Sequence, residues 1–255
     1  IPSLDLPLEQ LQGDLTFDDN KTGIDDLQAT LWGQPLRVQY AGEQQDKEYQ
    51  VKLGLNGEWD NKRDTILPAL AHQTLQGQAN WQGSLDLHLY KGGHYYYDAQ
   101  LTSPLSALAL DLPAPYNKPA GRNWPLQVKI SGNQDSSVIN GSLNHEWQLQ
   151  ADWSPEQKQF RRFWLDNQVI ERSAGPRLPF SVSAILSEAD FSAWLDWAKR
   201  WPATGQKAVN QLFPDTGAID LRVDKLHVAD QLWRDVRLSM SPDRNGSKIW
   251  LESSK

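Results

Sequence analysis

Apolar and polar residues alternate along most of this chain. The alternation is clearest over residues 27–31, 36–40, 49–55 and 84–89. Successive side chains of a β-strand point to opposite faces of a sheet, so a period of two predicts strands with one apolar face and one wet face. Less regular alternation predicts further strands over residues 108–112, 126–130, 147–151, 180–185, 219–223, 236–240 and 248–251.

The gaps between these stretches are short and rich in Gly, Pro, Asn and Asp. Such residues favour tight turns, and tight turns join antiparallel strands. The predicted turns lie at residues 18–23, 33–35, 91–93, 131–133 and 243–246. The chain is therefore expected to be mainly β, with a strongly twisted antiparallel sheet.

Glycines recur at an even interval at the start of similar stretches. Gly13, Gly77 and Gly141 are spaced 64 residues apart, and a related stretch begins at Gly217. A fixed period predicts a body that grows by addition along one direction. Chance matches in a strand-rich chain are the alternative, because the residues between the glycines are not similar.

The composition predicts a thin or extended body. The hydrophobic fraction is 39% and the mean hydropathy is −0.63, yet the chain holds 12 Trp, 7 Tyr and 6 Phe. Many large apolar side chains combined with much polar surface fit an extended sheet better than a compact domain, since thin bodies expose more surface per residue.

Charge and cysteine content exclude several classes of function. The net charge of −7 and the lack of a basic stripe argue against a nucleic-acid partner. The absence of cysteine excludes thiol catalysis, cysteine-based metal sites and disulfides, and is compatible with the cytosol or a bacterial periplasm. No apolar run approaches the ~20 residues of a membrane helix, so we expect no membrane span in this sequence. The chain does not begin with Met and ends without a closing element, so we expect an internal segment of a longer protein.

One stretch departs from the strand pattern. Ser187 followed by Asp190 resembles a capping box, and apolar residues then recur at helical spacing until Pro202. These residues are Phe191, Trp194, Leu195, Ala198 and Trp201. We expect a helix-containing insertion at 187–213, with a second short helix near 206–212. Docking of the first helix on the sheet is favoured over a gating or membrane-surface helix, because acids lie on its polar face.

Two loop-rich stretches interrupt the strands. Residues 172–180 form the best candidate for an internal boundary, and residues 112–125 contain four prolines. Proline removes a ladder donor, so it belongs at edges or between strands. The chain is otherwise expected to be one continuous segment over residues 1–255.

A search for catalytic and metal-binding motifs finds little. The chain has no nucleophile elbow, phosphate loop, dinucleotide fingerprint or HExxH motif. Its five histidines lack ligand spacing, and Asp18-Asp19-Asn20 lacks the terminal glutamate of a calcium loop, so a hairpin turn is expected there. We expect no enzyme activity, cofactor or metal. Tyr95-Tyr96-Tyr97 and Trp153 are candidates for stacking on sugars.

A short motif points to a family. The residues Leu-Ala-Leu-Asp-Leu-Pro-Ala-Pro-Tyr-Asn-Lys at 108–118 end a strand with Leu-Pro-Ala-Pro and place a lysine two residues after a tyrosine. This motif resembles the signature of the long AsmA-like proteins of Gram-negative bacteria, although a glycine would be expected where Ala107 stands. Stretches at 8–13, 31–36 and 221–238 are similar as well.

The resemblance implies a lipid conduit. AsmA-like proteins are anchored in the inner membrane and project across the periplasm as an elongated sheet curled into an open apolar groove, the β-taco type. They are regarded as bridges that carry phospholipid towards the outer membrane. The expected partners are then phospholipid and the rest of a longer chain at both ends. The strands left unpaired at the two ends of this segment could pair with a second copy.

The alternating apolar residues are the candidates for lining such a groove. They are Leu15, Phe17, Leu27, Ala29, Leu31, Leu36, Val38, Val51, Leu53, Leu55, Leu85, Leu87, Leu89, Leu108, Leu110, Val128 and Ile130. The same pattern would also build the closed core of a sandwich, because alternation does not say what covers the apolar face. A structural spacer and a carbohydrate-binding module therefore remain alternatives to the conduit.

Overall fold

The computed structural model describes residues 8–64, 69–167, 178–200, 213–214, 216–243 and 246–254. These residues form 17 strands, all in one sheet, and two short helices. The strands are β1 Leu8–Gln12, β2 Thr16–Asp18, β3 Lys21–Leu31, β4 Gln34–Gln44, β5 Glu48–Asp60, β6 Leu75–Tyr90, β7 Tyr95–Ser103, β8 Leu108–Leu110, β9 Leu126–Asn133, β10 Ser137–Leu143, β11 Trp147–Ser154, β12 Gln159–Asp166, β13 Phe180–Leu186, β14 Ala189–Asp190, β15 Gly217–Val228, β16 Gln231–Asp243 and β17 Gly246–Ser254. The helices are α1 Ala69–Thr74 and α2 Phe191–Lys199.

The strands pair almost in chain order, which confirms growth along one direction. The path runs β3-β4-β5-β6-β7-β9-β10-β11-β12-β13-β15-β16-β17, and each strand pairs with the next. The short strands β1 and β2 pair with β3, β8 pairs with the start of β6, and β14 pairs with β15. The four glycines of the apparent repeat occupy different places, however, with Gly13 between β1 and β2, Gly77 and Gly141 inside strands, and Gly217 at a strand start.

The sheet is mixed, whereas the short turns predicted an antiparallel one. β12 pairs with β13 in parallel, and β15 pairs in parallel with both β13 and β14. A parallel pair needs a connection that returns from one end of the strands to the other. In the chain, the long stretches 167–179 and 191–216 stand between these parallel strands, so the antiparallel expectation fails only where the short hairpin turns are absent.

The two long edges of the sheet, where strands end, are built differently. Along one edge, tight turns at 45–47, 91–94, 134–136 and 155–158 join neighbouring strands; we call it the hairpin rim. Along the opposite edge lie α1, α2 and the 104–125 segment, which includes β8; we call it the covered rim. Every predicted strand is confirmed, and several are longer than expected, up to the 16 residues of β6.

Some local predictions were wrong. Residues 131–133 belong to β9 and not to a turn, because Gly132 pairs with Tyr97 and Ser137 on either side. The helix cap is Asp190, whose carboxylate accepts a hydrogen bond from the Ala193 amide at 2.9 Å, and not Ser187. The second helix expected near 206–212 and most of the proposed boundary at 172–180 lie outside the described residues.

A buried lysine holds the 104–125 segment in place. Lys118 is 1% exposed, and its ammonium donates hydrogen bonds to the carbonyls of Leu105, at 2.6 Å, and Leu108. Burial lowers the pKa of Lys118, and Arg122 adds to this effect. Leu108, Leu110 and Trp124 of the segment pack together against Trp59, Leu75 and Leu143 of the sheet. The lysine therefore ties both arms of the segment to each other over a small apolar core.

We expect Lys118→Met to lower the free energy of unfolding by about 1–3 kcal/mol, because it leaves buried carbonyls without their donor. Chemical denaturation followed by circular dichroism measures this change. Lys129→Met is the matched control, since Lys129 is exposed on the opposite face of the sheet and should shift stability by less than about 0.5 kcal/mol. Equal stability of the two variants would contradict the tying role of Lys118.

Candidate functional site

One face of the sheet is apolar across its whole length. A single cross-strand row, which we call the central apolar row, runs through thirteen strands in register and contains only apolar residues and glycine. The row is Leu27, Val38, Leu55, Gly83, Leu101, Val128, Gly141, Leu149, Leu165, Val182, Ile219, Met240 and Ile249. At about 4.8 Å between strands, the row extends about 58 Å along the sheet.

The opposite face is polar. The register neighbours of the central apolar row, one residue away on each strand, are almost all polar. They are Gln28, Arg37, Asn56, Gln82, Thr102, Gln127, Ser142, Gln148, Asp166, Ser183, Asp220, Ser239 and Trp250. Arg237 and Asp220 form a cross-strand ion pair at 2.7 Å, and Arg162 pairs with Asp152. Charge is thus segregated to this polar face.

Among the described residues, most of the apolar face has no second layer over it. Leu53, Leu55 and Leu85, in the middle of long strands, are only half-buried, and Leu89 is 37% exposed.

The covered rim supplies the first of two places where the chain covers its own apolar face. Tyr116, from the 104–125 segment, packs on Trp147 and Trp194 at centroid distances of 5.4 and 6.3 Å. Trp194 of α2 donates a hydrogen bond to the Ala114 carbonyl at 3.2 Å. Burial in this cluster raises the pKa of Tyr116 to about 12, so its hydroxyl stays neutral and accepts a hydrogen bond from Asn167.

An aromatic cluster covers the apolar face on the other side, between β11 and β15. Phe213 lies within 4.8 to 5.7 Å, between ring centroids, of Phe160, Phe163 and Phe180. Phe163 and Phe180 are register partners on the apolar face, and Trp153 extends the cluster towards the hairpin rim. This section is therefore filled by the protein's own rings, while β3 to β10 present mainly aliphatic side chains.

Most of the predicted groove-lining residues lie on this apolar face. Ala29, Leu36, Val38 and Leu87 are buried, and the first three pack with Leu27, Leu31, Leu53 and Leu55. Val51, Leu85, Leu87, Leu89, Val128 and Ile130 follow on neighbouring strands at matching register. Phe17 lies beside Thr22 at the end of the sheet and is 73% exposed.

Several predicted residues lie elsewhere. Leu108 and Leu110 are buried in the core beneath the 104–125 segment, and Leu15 lies between β1 and β2. In α2, Trp194 packs on the sheet, whereas Phe191, Leu195 and Ala198 are exposed. The helix is thus docked through a single face, and Trp201 falls outside the described residues.

The predicted sugar-stacking residues do not form one surface. Tyr95 and Tyr97 stack on the apolar face at 6.4 Å between ring centroids, while Tyr96 pairs with His88 on the polar face. Trp153 belongs to the aromatic cluster. Sequence reasoning identified none of the hydroxyl contacts that Tyr40, Tyr49 and Tyr97 make, because the partners come together only through cross-strand register.

The described residues offer little for catalysis or metal binding. No group of three or more His, Asp or Glu side chains among them could hold a metal ion. A cavity of about 850 Å³ opens mainly on the polar face beside Arg37, Asn56 and Glu58, and its lining contains no His, Lys or Asp. Within the same residues, neither helix has the length and apolar character of a membrane span.

Comparison with known proteins identifies the family. The family model described as YhdP protein matches residues 1–255. The chain belongs to the YhdP family. It is 26% identical over 252 residues to the intermembrane phospholipid transporter YhdP of Escherichia coli (strain K12), an alignment that covers 98% of this chain and 19% of that protein. The chain thus spans about a fifth of its relative, and no solved structure matches it.

Phe213→Ala should uncover part of the apolar face. We expect stronger binding of an environment-sensitive apolar dye, because the substitution removes the ring that covers Phe160, Phe163 and Phe180, at a stability cost of about 1–2 kcal/mol. Fluorescence titration of the folded chain measures the gain. Tyr96→Ala, which removes a ring from the polar face, serves as control, and an equal dye response from both variants would contradict this placement of Phe213.

Proposed function

We propose that this chain is a segment of a lipid conduit, in which the apolar face shields phospholipid acyl chains during transport between two membranes. The observation that carries the proposal is the central apolar row, which is unbroken over thirteen strands and which the described part of the chain leaves without a second layer over most of its length. The phospholipid transport named for the E. coli relative supports phospholipid as the cargo.

The energetics favour such a surface. Each methylene exposed to water costs about 0.8 kcal/mol, so two acyl chains crossing free water face a barrier on the order of tens of kcal/mol. A continuous apolar face removes most of this cost at every point along the path. The apolar surface of the protein itself is stabilised by the same contact.

The apolar face also lacks groups that would trap a lipid. In strands β5 to β10, which the structure describes in full, no residue at an apolar-face register position is charged. Uniform aliphatic contacts have similar energy at each strand, so a lipid can move from one strand to the next without leaving a deep minimum.

The setting follows from the cargo and the family resemblance. The chain would lie in the periplasm as part of a longer groove, continued by the rest of the protein at both ends, with membrane attachment through other parts. Such a conduit is not an enzyme and needs no cofactor. A carbohydrate-binding module is less well supported, since Tyr96 and Tyr97 lie on opposite faces of the sheet. A structural spacer is the other alternative, and it differs from a conduit because it binds no lipid.

Leu53→Asp tests the proposal, because it places a charge in the middle of the apolar face. We expect the variant to lose co-purifying phospholipid by about tenfold or more, since a carboxylate beside acyl chains must be desolvated. Native mass spectrometry with lipid extraction measures the occupancy, and circular dichroism confirms that the variant is folded.

Ser84→Asp is the matched control. Ser84 pairs with Gly54, next to Leu53, but is exposed on the polar face. The control should keep its lipid. A folded Leu53→Asp variant with normal lipid occupancy, or a wild-type chain that binds no phospholipid, would favour the spacer.

A further inference from the structure

A row of hydroxyl groups borders the apolar face at the hairpin rim. One register row beyond Leu53 and Leu85, the cross-strand neighbours are Thr22, Gly42, Val51, Leu87, Tyr97, Gly132 and Ser137. Two groups of hydroxyls gather on this row, and we call them together the hydroxyl row.

The first group lies over Gly42. The hydroxyls of Tyr40 and Tyr49 are 2.7 Å apart, and the Thr22 hydroxyl lies 3.1 and 2.9 Å from them. A Cβ atom at Gly42 would collide with all three oxygens, so the absence of a side chain there is what allows the group to form. Burial raises the pKa of Tyr40, so its hydroxyl stays neutral.

The second group lies four strands further along. The Tyr97 hydroxyl is 2.7 Å from the Ser137 hydroxyl and lies over Gly132, where an added Cβ would be 2.9 Å from it. In both groups, therefore, a glycine leaves room for a tyrosine hydroxyl that comes from a neighbouring strand. At about 4.8 Å per strand, they are about 19 Å apart along the sheet.

The hydroxyl row lies between the aliphatic centre of the face and the charged turns of the hairpin rim. Towards the sheet centre, the next row holds Leu53, Leu85 and Ile130, about 6.6 Å away. Towards solvent, one further row with Tyr49, Leu89 and Tyr95 leads to turns that carry the exposed charges of Asp46, Lys47, Lys91 and Asp135. Tyrosine at a boundary of this kind is typical of membrane interfaces, where the ring lies among acyl chains and the hydroxyl meets the polar part of the lipid.

We propose that the hydroxyl row binds the glycerol-ester and phosphate oxygens of a phospholipid, with the headgroup leaving the apolar face over the hairpin rim. This inference rests on the proposed function and adds the orientation of the cargo. From β5 to β16 the opposite rim is unsuitable, because the 104–125 segment and Trp194 pack on the apolar face there. Neutral hydroxyls form weaker hydrogen bonds to phosphate than cationic groups do, so the row orients lipids and lets them move.

The test removes one hydroxyl from each group. The Tyr49→Phe/Tyr97→Phe variant keeps the ring shapes, and Tyr90→Phe/Tyr96→Phe removes two hydroxyls from the polar face as a matched control. Each chain is loaded from vesicles of phosphatidylethanolamine and phosphatidylglycerol or with a pyrenyl alkane that has no polar end. Transfer to acceptor vesicles is then timed by fluorescence or mass spectrometry.

We expect phospholipid to leave the Tyr49→Phe/Tyr97→Phe variant about tenfold faster than wild type, since two hydrogen bonds are lost. Release of the pyrenyl alkane should be unchanged, and the control should match wild type for both ligands. Added glycerol 3-phosphate should not compete.

Other outcomes overturn the inference. An unchanged phospholipid rate places the polar end elsewhere and leaves the proposed function intact. Faster release of both ligands assigns the hydroxyls a structural role, and competition by glycerol 3-phosphate assigns them to a soluble anion. A wild-type chain that holds neither ligand contradicts the proposed function itself.

Discussion

The whole structure depends on a single layer of strands whose apolar face the described residues cover only in part. Sheets usually bury such a face against another sheet or against helices. Among the described residues, the cover comes from the 104–125 segment, α2 and Phe213. Apolar surface left in water costs about 25 cal/mol per Å². The free energy of this fold is therefore coupled to whatever apolar material lies on the sheet, and this coupling is the physical basis for a conduit.

The 104–125 segment shows how a break in the strand pattern becomes part of the cover. Its prolines prevent a regular ladder, so the backbone needs other hydrogen-bond donors. Lys118 supplies them from a buried position, and Tyr116 reaches from the same segment to Trp147 and Trp194. The motif that resembles the AsmA-like signature is thus a structural element that closes one rim, and its leucines belong to a packed core.

The alternation predicted most strands and both faces correctly because each depends on a few consecutive residues. It missed β7, because three consecutive tyrosines, Tyr95, Tyr96 and Tyr97, show no alternation between apolar and polar residues. It missed β12 because a shift in register between Asp152 and Trp153 breaks the regular pairing. The Ser-Gly-Asn sequence around Gly132 predicted a turn. In the structure Gly132 belongs to β9, where the absence of a side chain leaves room for the Tyr97 hydroxyl.

The sequence predicted which aliphatic residues form the candidate site. It did not predict which side chains contact one another across the strands. No local pattern brings Thr22, Tyr40 and Tyr49 together, since the contact depends on the pairing of three strands. The same holds for Phe213, which is separated from Phe163 by 50 residues in the chain. Sequence periodicity assigns a residue to a face, whereas register decides which neighbours it has there.

The parallel strands explain why the apolar face changes character at β11. The connection from β14 to β15 begins at the covered rim with α2 and reaches the hairpin rim with Phe213, and both of its described ends pack on the apolar face. A chain that must return across a sheet covers part of one face, and here aromatic rings do so at both rims. The strands from β3 to β10 pair antiparallel and need no such return, and their aliphatic rows end at the hydroxyl row. If the proposed function holds, a lipid that reaches β11 to β15 meets aromatic side chains of the protein that already occupy the apolar face there.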